Sequence, residues 1–175
     1  MSAAHKLPDV LTTDLDIIFV GTAAGQASTD RGEYYAGAGN RFWQTLHEVG
    51  LTPRRFRPDE FHELLSLRMG LTDLSKLGVG MDQKIGAEDL DLVHVEKNIA
   101  DFRPRAIAFT GKKAAAIALG KDGTDDVAYG RQPARDGFPE VFVLTSTSAA
   151  ARSYWDIAPW AELASRLADS RQEGA

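Results

Sequence analysis

Four consecutive apolar residues, Ile17, Ile18, Phe19 and Val20, run straight into Gly21, and this block constrains the fold more than any other part of the chain. An unbroken apolar run with β-branched character suits a strand covered on both faces of a parallel sheet. Gly21 and Gly25 then let the backbone turn sharply and come close to a ligand. Further strands are expected at 106–110 and 141–145. Helical spacing predicts helices over 40–50 (Phe42, Trp43, Leu46 and Val49 inward, Gly50 at the end), 58–67 (ended by Gly70) and 89–102 (stopped by Pro104). An alanine-rich helix over 112–119 and a closing one over 155–167 follow. The segment 122–137 reads as loop with room for one short strand. Strands alternating with helices imply a three-layer α/β/α sandwich around a short, mainly parallel central sheet.

With 175 residues and 43% apolar content, the chain can fill one core but not two. A loose tail is expected over residues 1–13 and a single domain over 14–170. There is no cysteine, which excludes disulfides, thiolate zinc sites and cysteine nucleophiles. No apolar run has the length of a membrane span, so no membrane partner is expected and the cytoplasm is the default compartment. The net charge of −5 argues against broad phosphate binding. A local basic rim remains available, because Arg31, Arg41, Lys112, Lys113, Arg131, Arg135 and Arg152 fall in or beside loops and strand ends. Scattered solvated charges are the plainer account of the same residues.

Ligands of open α/β sheets bind beyond the carboxyl ends of the strands, where the loops 21–25, 110–113 and 145–152 are expected to converge. The sequence GTAAG lacks the Gly-Lys-Ser/Thr of a phosphate-binding loop and the GxGxxG of a dinucleotide site. Tyr34 and Tyr35 lie in a glycine-rich stretch, where an aromatic ring suits stacking on a planar ligand. Core packing is the alternative, more so for Tyr34 than for Tyr35. Phe42 and Trp43 read as core. His5, His47, His62 and His94 lie in the tail or on helices away from the cleft, with no metal-ligand spacing.

The run GTAAGQASTDRGEYYAGAGNRFW resembles the first signature of the mismatch-specific uracil and thymine DNA glycosylases, a branch of the uracil-DNA glycosylase superfamily. Gly70-Leu71-Thr72-Asp73-Leu74, Phe109-Thr110-Gly111-Lys112 and Val143-Leu144-Thr145-Ser146-Thr147-Ser148 running on to Arg152 extend the resemblance in the same order. It implies a monomeric DNA repair enzyme without metal or cofactor. Its partner would be DNA carrying uracil or an abasic site. Such an enzyme flips a deaminated base out of DNA and hydrolyses its N-glycosidic bond.

Carried over by position, the resemblance gives base binding to Thr22, Ala23, Gly25, Gln26, Tyr35 and Ser146, with Tyr35 stacking on the base. The DNA side falls to Arg31, Lys112, Ser148, Ala150 and Arg152. The loop 146–152 would fill the space the base leaves, although Ala149, Ala150 and Ala151 are small for a wedge, which leaves Arg152 to fill it or grip phosphate. Relatives carry a polar residue at the place of Ala23 to position the attacking water, which alanine cannot do. Asp30 is the first substitute, as a carboxylate in the same loop, and Asn40 the second. Loss of that residue also admits a non-catalytic lesion-binding protein. A hydrolase built on Ser146 or Ser148 lacks the GxSxG elbow.

Overall fold

The computed structural model describes residues 7–75 and 92–173. Five strands form one sheet in the order β2-β1-β3-β5-β4. They are β1 (Ile17–Ala23), β2 (Met69–Ser75), β3 (Ala106–Phe109), β4 (Gly130–Arg131) and β5 (Glu140–Val143). All neighbours run parallel except β4, which pairs antiparallel with β5. The helices are α1 (Gln26–Arg31), α2 (Phe42–Glu48), α3 (Leu92–Phe102), α4 (Lys112–Ala118) and α5 (Ala158–Glu173), with 3-10 segments at Pro58–Leu67 and Ala149–Tyr154. The chain is therefore the α/β sandwich that the apolar strands imply.

Alternation along each central strand builds the two halves of the core. Ile17 and Phe19 of β1, Ala106 and Ala108 of β3, and Phe142 of β5 face α2 and α5, where Phe42, Leu46, Trp160 and Leu163 meet them. Ile18 and Val20, Ile107 and Phe109, and Val141 and Val143 face α3 and α4, where Val95, Ile99 and the alanines of α4 pack. Small alanines on α4 let that helix lie close to the sheet. Trp160 donates its indole N–H to the Thr145 carbonyl at 3.1 Å, and Thr145 Oγ1 donates to the Asp156 carbonyl at 2.6 Å, which fixes the end of β5 to the start of α5.

Several expectations change. Gly70 does not end a helix: the 3-10 segment closes at Arg68, in a left-handed conformation at φ 64°, and Gly70 lies inside β2. The stretch that carries Asp30, expected as loop, contains α1, and the last helix begins at Ala158, after a 3-10 turn. Positions 89–91 of the third expected helix, and His5, lie outside the described residues.

The part of the expected tail from Leu7 onward is packed. Leu7 and Val10 are buried, and Val10 bridges to Leu71 on the outer edge of β2. Asp9 accepts from Thr72 Oγ1 at 2.6 Å and Asn98 Nδ2 at 3.0 Å, and pairs with His94 Nε2 at 2.6 Å. This covers the strand edge that would otherwise stay open on that side.

Gly70 makes the arrangement testable, since a β-carbon there would sit 2.8 Å from Leu15 Cδ1 and 2.9 Å from the Val10 carbonyl oxygen. Gly70→Ala is expected to destabilise the chain by about 1–3 kcal/mol through overpacking, read as a lower urea midpoint. An unchanged midpoint would mean that the N-terminal segment does not cross β2 as described.

Candidate active site

The carboxyl ends of β1, β2, β3 and β5 open into a cavity of about 780 Å³. Two loops form its wall, and both are held from within. Arg41 donates its backbone N–H to the Thr147 carbonyl at 2.9 Å, joining the loop after α1 to the loop after β5. Gly39, at φ 79°, lies where a β-carbon would be 3.1 Å from Ala149 Cβ, so the loops touch closely at that point.

Tyr35 takes a left-handed backbone conformation at φ 53°, a costly one for a bulky residue. Its surroundings determine it. The Ala36 N–H donates to Ser28 Oγ at 3.0 Å, and Trp43 Nε1 donates to the Tyr34 carbonyl at 3.0 Å. The Tyr35 ring stacks on Phe42 with centroids 3.8 Å apart and planes 16° apart, and the residue lines the cavity. Tyr34 is core: 2% exposed, it donates its hydroxyl to the Pro8 carbonyl at 2.9 Å.

At the floor, three polar groups gather on the bare backbone of Gly21. A β-carbon there would lie 2.6 Å from Asp73 Oδ1, 3.4 Å from the Tyr35 hydroxyl and 3.6 Å from Thr110 Oγ1. Gly21 and Asp73 are register partners on β1 and β2, so the close approach follows from the pairing of the strands. Asp73 is 4% exposed and is the one carboxylate lining the cavity among the described residues. Burial raises the Tyr35 phenol well above its ordinary value, and the nearby Asp73 charge raises it further, partly offset by the Thr110 hydroxyl 3.3 Å away. Tyr34 is raised for the same two leading reasons.

Asn40 lines the same cavity. Its Oδ1 accepts the Phe42 N–H at 2.9 Å, which ties the side chain to the first residue of α2. Its Nδ2 makes no hydrogen bond among the described residues and can donate to a ligand or water.

Of the residues expected from sequence, Thr22, Gly25, Gln26, Tyr35, Asn40, Ser146, Ser148 and Ala150 line the cavity together. Ala23 ends β1 opposite Ser75. Ser146 and Ser148 hold each other, Oγ to Oγ at 3.2 Å. Asp30 is not brought to the cavity: it is exposed on α1 and accepts Gln26 Nε2 at 2.7 Å, one helical turn away. Arg31 is exposed at the end of the same helix. Lys112 lies with Nζ 4.4 Å from the Tyr129 ring centroid, outside the lining. Arg152 lies outside it too, its Nη2 3.7 Å from the β-carbon position of Gly39. Asp73 and Tyr154 also line the cavity and were not expected there. The sequence signal for Asp73 was its place in the GLTDL block. Among the described residues, no group of three His, Asp or Glu could hold a metal ion, and no helix is long and apolar enough to cross a membrane.

The raised phenols carry a sign that can be checked. Their neutral forms are favoured in the folded chain, so their contribution to stability is full below pH about 10, where an unfolded tyrosine ionises, and is lost as pH rises above it. In an alkaline titration, the phenolate absorbance of Tyr34 and Tyr35 is expected to appear only together with the loss of helical circular dichroism. Tyr35→Phe should remove amplitude from that step alone. Ionisation of Tyr35 in the folded chain would refute its burial beside Asp73.

Residues 8–165 match the family model described as the uracil DNA glycosylase superfamily. The fold is similar to the solution NMR structure of a "putative Uracil DNA glycosylase" from Methanosarcina acetivorans, with a TM-score of 0.62 and 23% sequence identity, covering 94% of this chain and 98% of that one. At that identity the likeness concerns the fold alone.

Proposed function

Since the chain belongs to the uracil DNA glycosylase superfamily, we propose that it is a monofunctional glycosylase that takes uracil out of DNA and hydrolyses its N-glycosidic bond, leaving an abasic site. The observation that carries this reading is the meeting, in one cavity, of a stacked aromatic ring on Tyr35, a hydrogen-bonded amide on Asn40 and a buried carboxylate on Asp73. The resemblance of the first motif to the mismatch-specific branch supports action on mispaired uracil.

In the proposed reaction the extruded base lies against Tyr35, and backbone groups from Thr22 to Gln26 meet its edge. Asn40 orients a water toward the anomeric carbon. The water oxygen bonds to that carbon as the bond to the base nitrogen breaks, its electron pair leaving with the base. Asp73 takes the proton released by the water, and the anionic base is later protonated by solvent. Charge separation in the transition state fixes where a carboxylate helps. The sugar becomes cationic and the base anionic, so Asp73 aids catalysis beside the sugar and opposes it beside the base oxygen. Asn40 is thus the better-supported water-positioning residue in this chain, in place of Asp30.

The test is single-turnover cleavage of end-labelled oligonucleotides carrying uracil, a thymine mismatch or hypoxanthine, with alkali to cut abasic sites. Uracil release is expected, reduced roughly 10²–10⁴-fold by Asn40→Ala and by Asp73→Asn, the usual range for lost acid-base or water-positioning groups. If Asp30→Asn proved as damaging while Asp73→Asn were neutral, the assignment of roles would be wrong. Tight lesion binding without any base release would favour the non-catalytic reading that Ala23 admits.

A further inference from the structure

Tyr154 is 74% exposed, and it is also one of the residues that line the cavity. Its ring makes no aromatic contact and its hydroxyl no hydrogen bond among the described residues. An unpartnered aromatic ring held in water at the mouth of a site leaves apolar surface that a flat ligand can cover.

The mount beneath it is rigid. Tyr154 closes the 3-10 turn Ala149–Tyr154, in which Ala151 N–H donates to the Ser148 carbonyl at 3.1 Å and Trp155 N–H to the Arg152 carbonyl at 3.3 Å. Trp155, the next residue, is anchored between the Arg41 guanidinium, 5.5 Å from its ring centroid, and Trp160, 6.5 Å away. The remainder of the turn offers little to a nucleobase. Ala149 and Ala150 are small, and the tip of Arg152 lies across Gly39.

We propose that Tyr154 is a stacking platform for the DNA base next to the extruded nucleotide, and so performs the contact that sequence reasoning gave to Ala150 and Arg152. The inference rests on the glycosylase reading, since it needs a base in the cavity to place its neighbour at the mouth. Stacking on the exposed ring holds the DNA open beside the site and contributes to binding without taking part in bond breaking.

The experiment uses the full chain and a duplex carrying a tetrahydrofuran abasic analogue flanked by 2-aminopurine, with uracil release measured in parallel. The wild-type chain should quench the 2-aminopurine. Tyr154→Phe should keep both quenching and affinity, whereas Tyr154→Ala should lose the quenching and bind roughly 5- to 150-fold more weakly, the range given by one base-aromatic stack. The loss should appear in the enzyme concentration needed for half-maximal rate and leave the saturated rate of uracil release near wild type. Equal binding and quenching by Tyr154→Ala would overturn the inference and leave the glycosylase reading intact. Equal loss in Tyr154→Phe and Tyr154→Ala would also overturn it, because the ring would then not be the group in use. A wild-type chain that neither binds this DNA nor releases uracil would overturn both.

Discussion

The Phe42 ring joins the core to the cavity. It packs edge-on against Trp43 at 5.0 Å, Phe19 of β1 at 5.4 Å and Trp160 of α5 at 5.9 Å, and face to face with Tyr35 at 3.8 Å. The strained backbone of Tyr35 costs on the order of 1–3 kcal/mol. A stacked pair returns about 0.5–1.5 kcal/mol beyond its buried area. The two hydrogen bonds on either side of Tyr35 add about 1 kcal/mol each. Either source alone falls short of the upper end of that cost. Ring stacking and the Ser28 and Trp43 hydrogen bonds together hold the residue, which ties the aromatic face of the cavity to the core behind it.

The polar side of the cavity depends on a missing atom. Only glycine at position 21 allows Asp73, Tyr35 and Thr110 to meet, and the strand register sets Asp73 opposite it. Burial, and after it the nearby Asp73 charge, holds the Tyr35 phenol well above its ordinary value, which favours its neutral form beside the carboxylate. A cavity whose one carboxylate among the described residues is the buried Asp73 restricts the pose of any base that enters it, because negative charge developing near Asp73 is penalised strongly in a buried site.

Much of this was legible in the sequence. The apolar blocks at 17–20, 106–109 and 141–143 gave three of the five strands, since strands covered on both faces carry no competing period. Phe42 and Trp43 read correctly as core. β2 was missed because its inner positions are polar: Thr72 and Asp73 are buried but look solvated in a linear reading. With β2 unseen, Asp73 had no strand end to occupy and was passed over for Asp30, which is closer in sequence to the expected motif. Within α1, Asp30 lies one turn beyond Gln26, which lines the cavity, and is bonded to it outside the lining, a spacing that a loop assignment could not reveal. Tyr154 was missed for a related reason, since exposure is set by how the turn is mounted on Trp155 and leaves no mark in composition.

Charge decides how such a site could hold DNA. The chain carries −5 overall, and among the described residues many of its cations are engaged. Arg68, Arg105 and Arg171 surround the buried Asp16 at the amino edge of the sheet, opposite the cavity, at 3.3, 3.7 and 2.8 Å. Arg131 pairs with Glu140 at 2.5 Å, and near the mouth Arg41 lies over Trp155 and Lys112 over Tyr129. On the proposed reading, cations engaged in this way add little to phosphate neutralisation, which would keep the salt-dependent, sequence-blind part of binding down. On that reading, affinity would come from aromatic faces and from burial of the extruded base, contributions that undamaged duplex, with its bases stacked and paired, does not supply. Weak phosphate binding in this chain would therefore sharpen discrimination, because ordinary DNA competes only through the part of the interaction that the sequence has kept small.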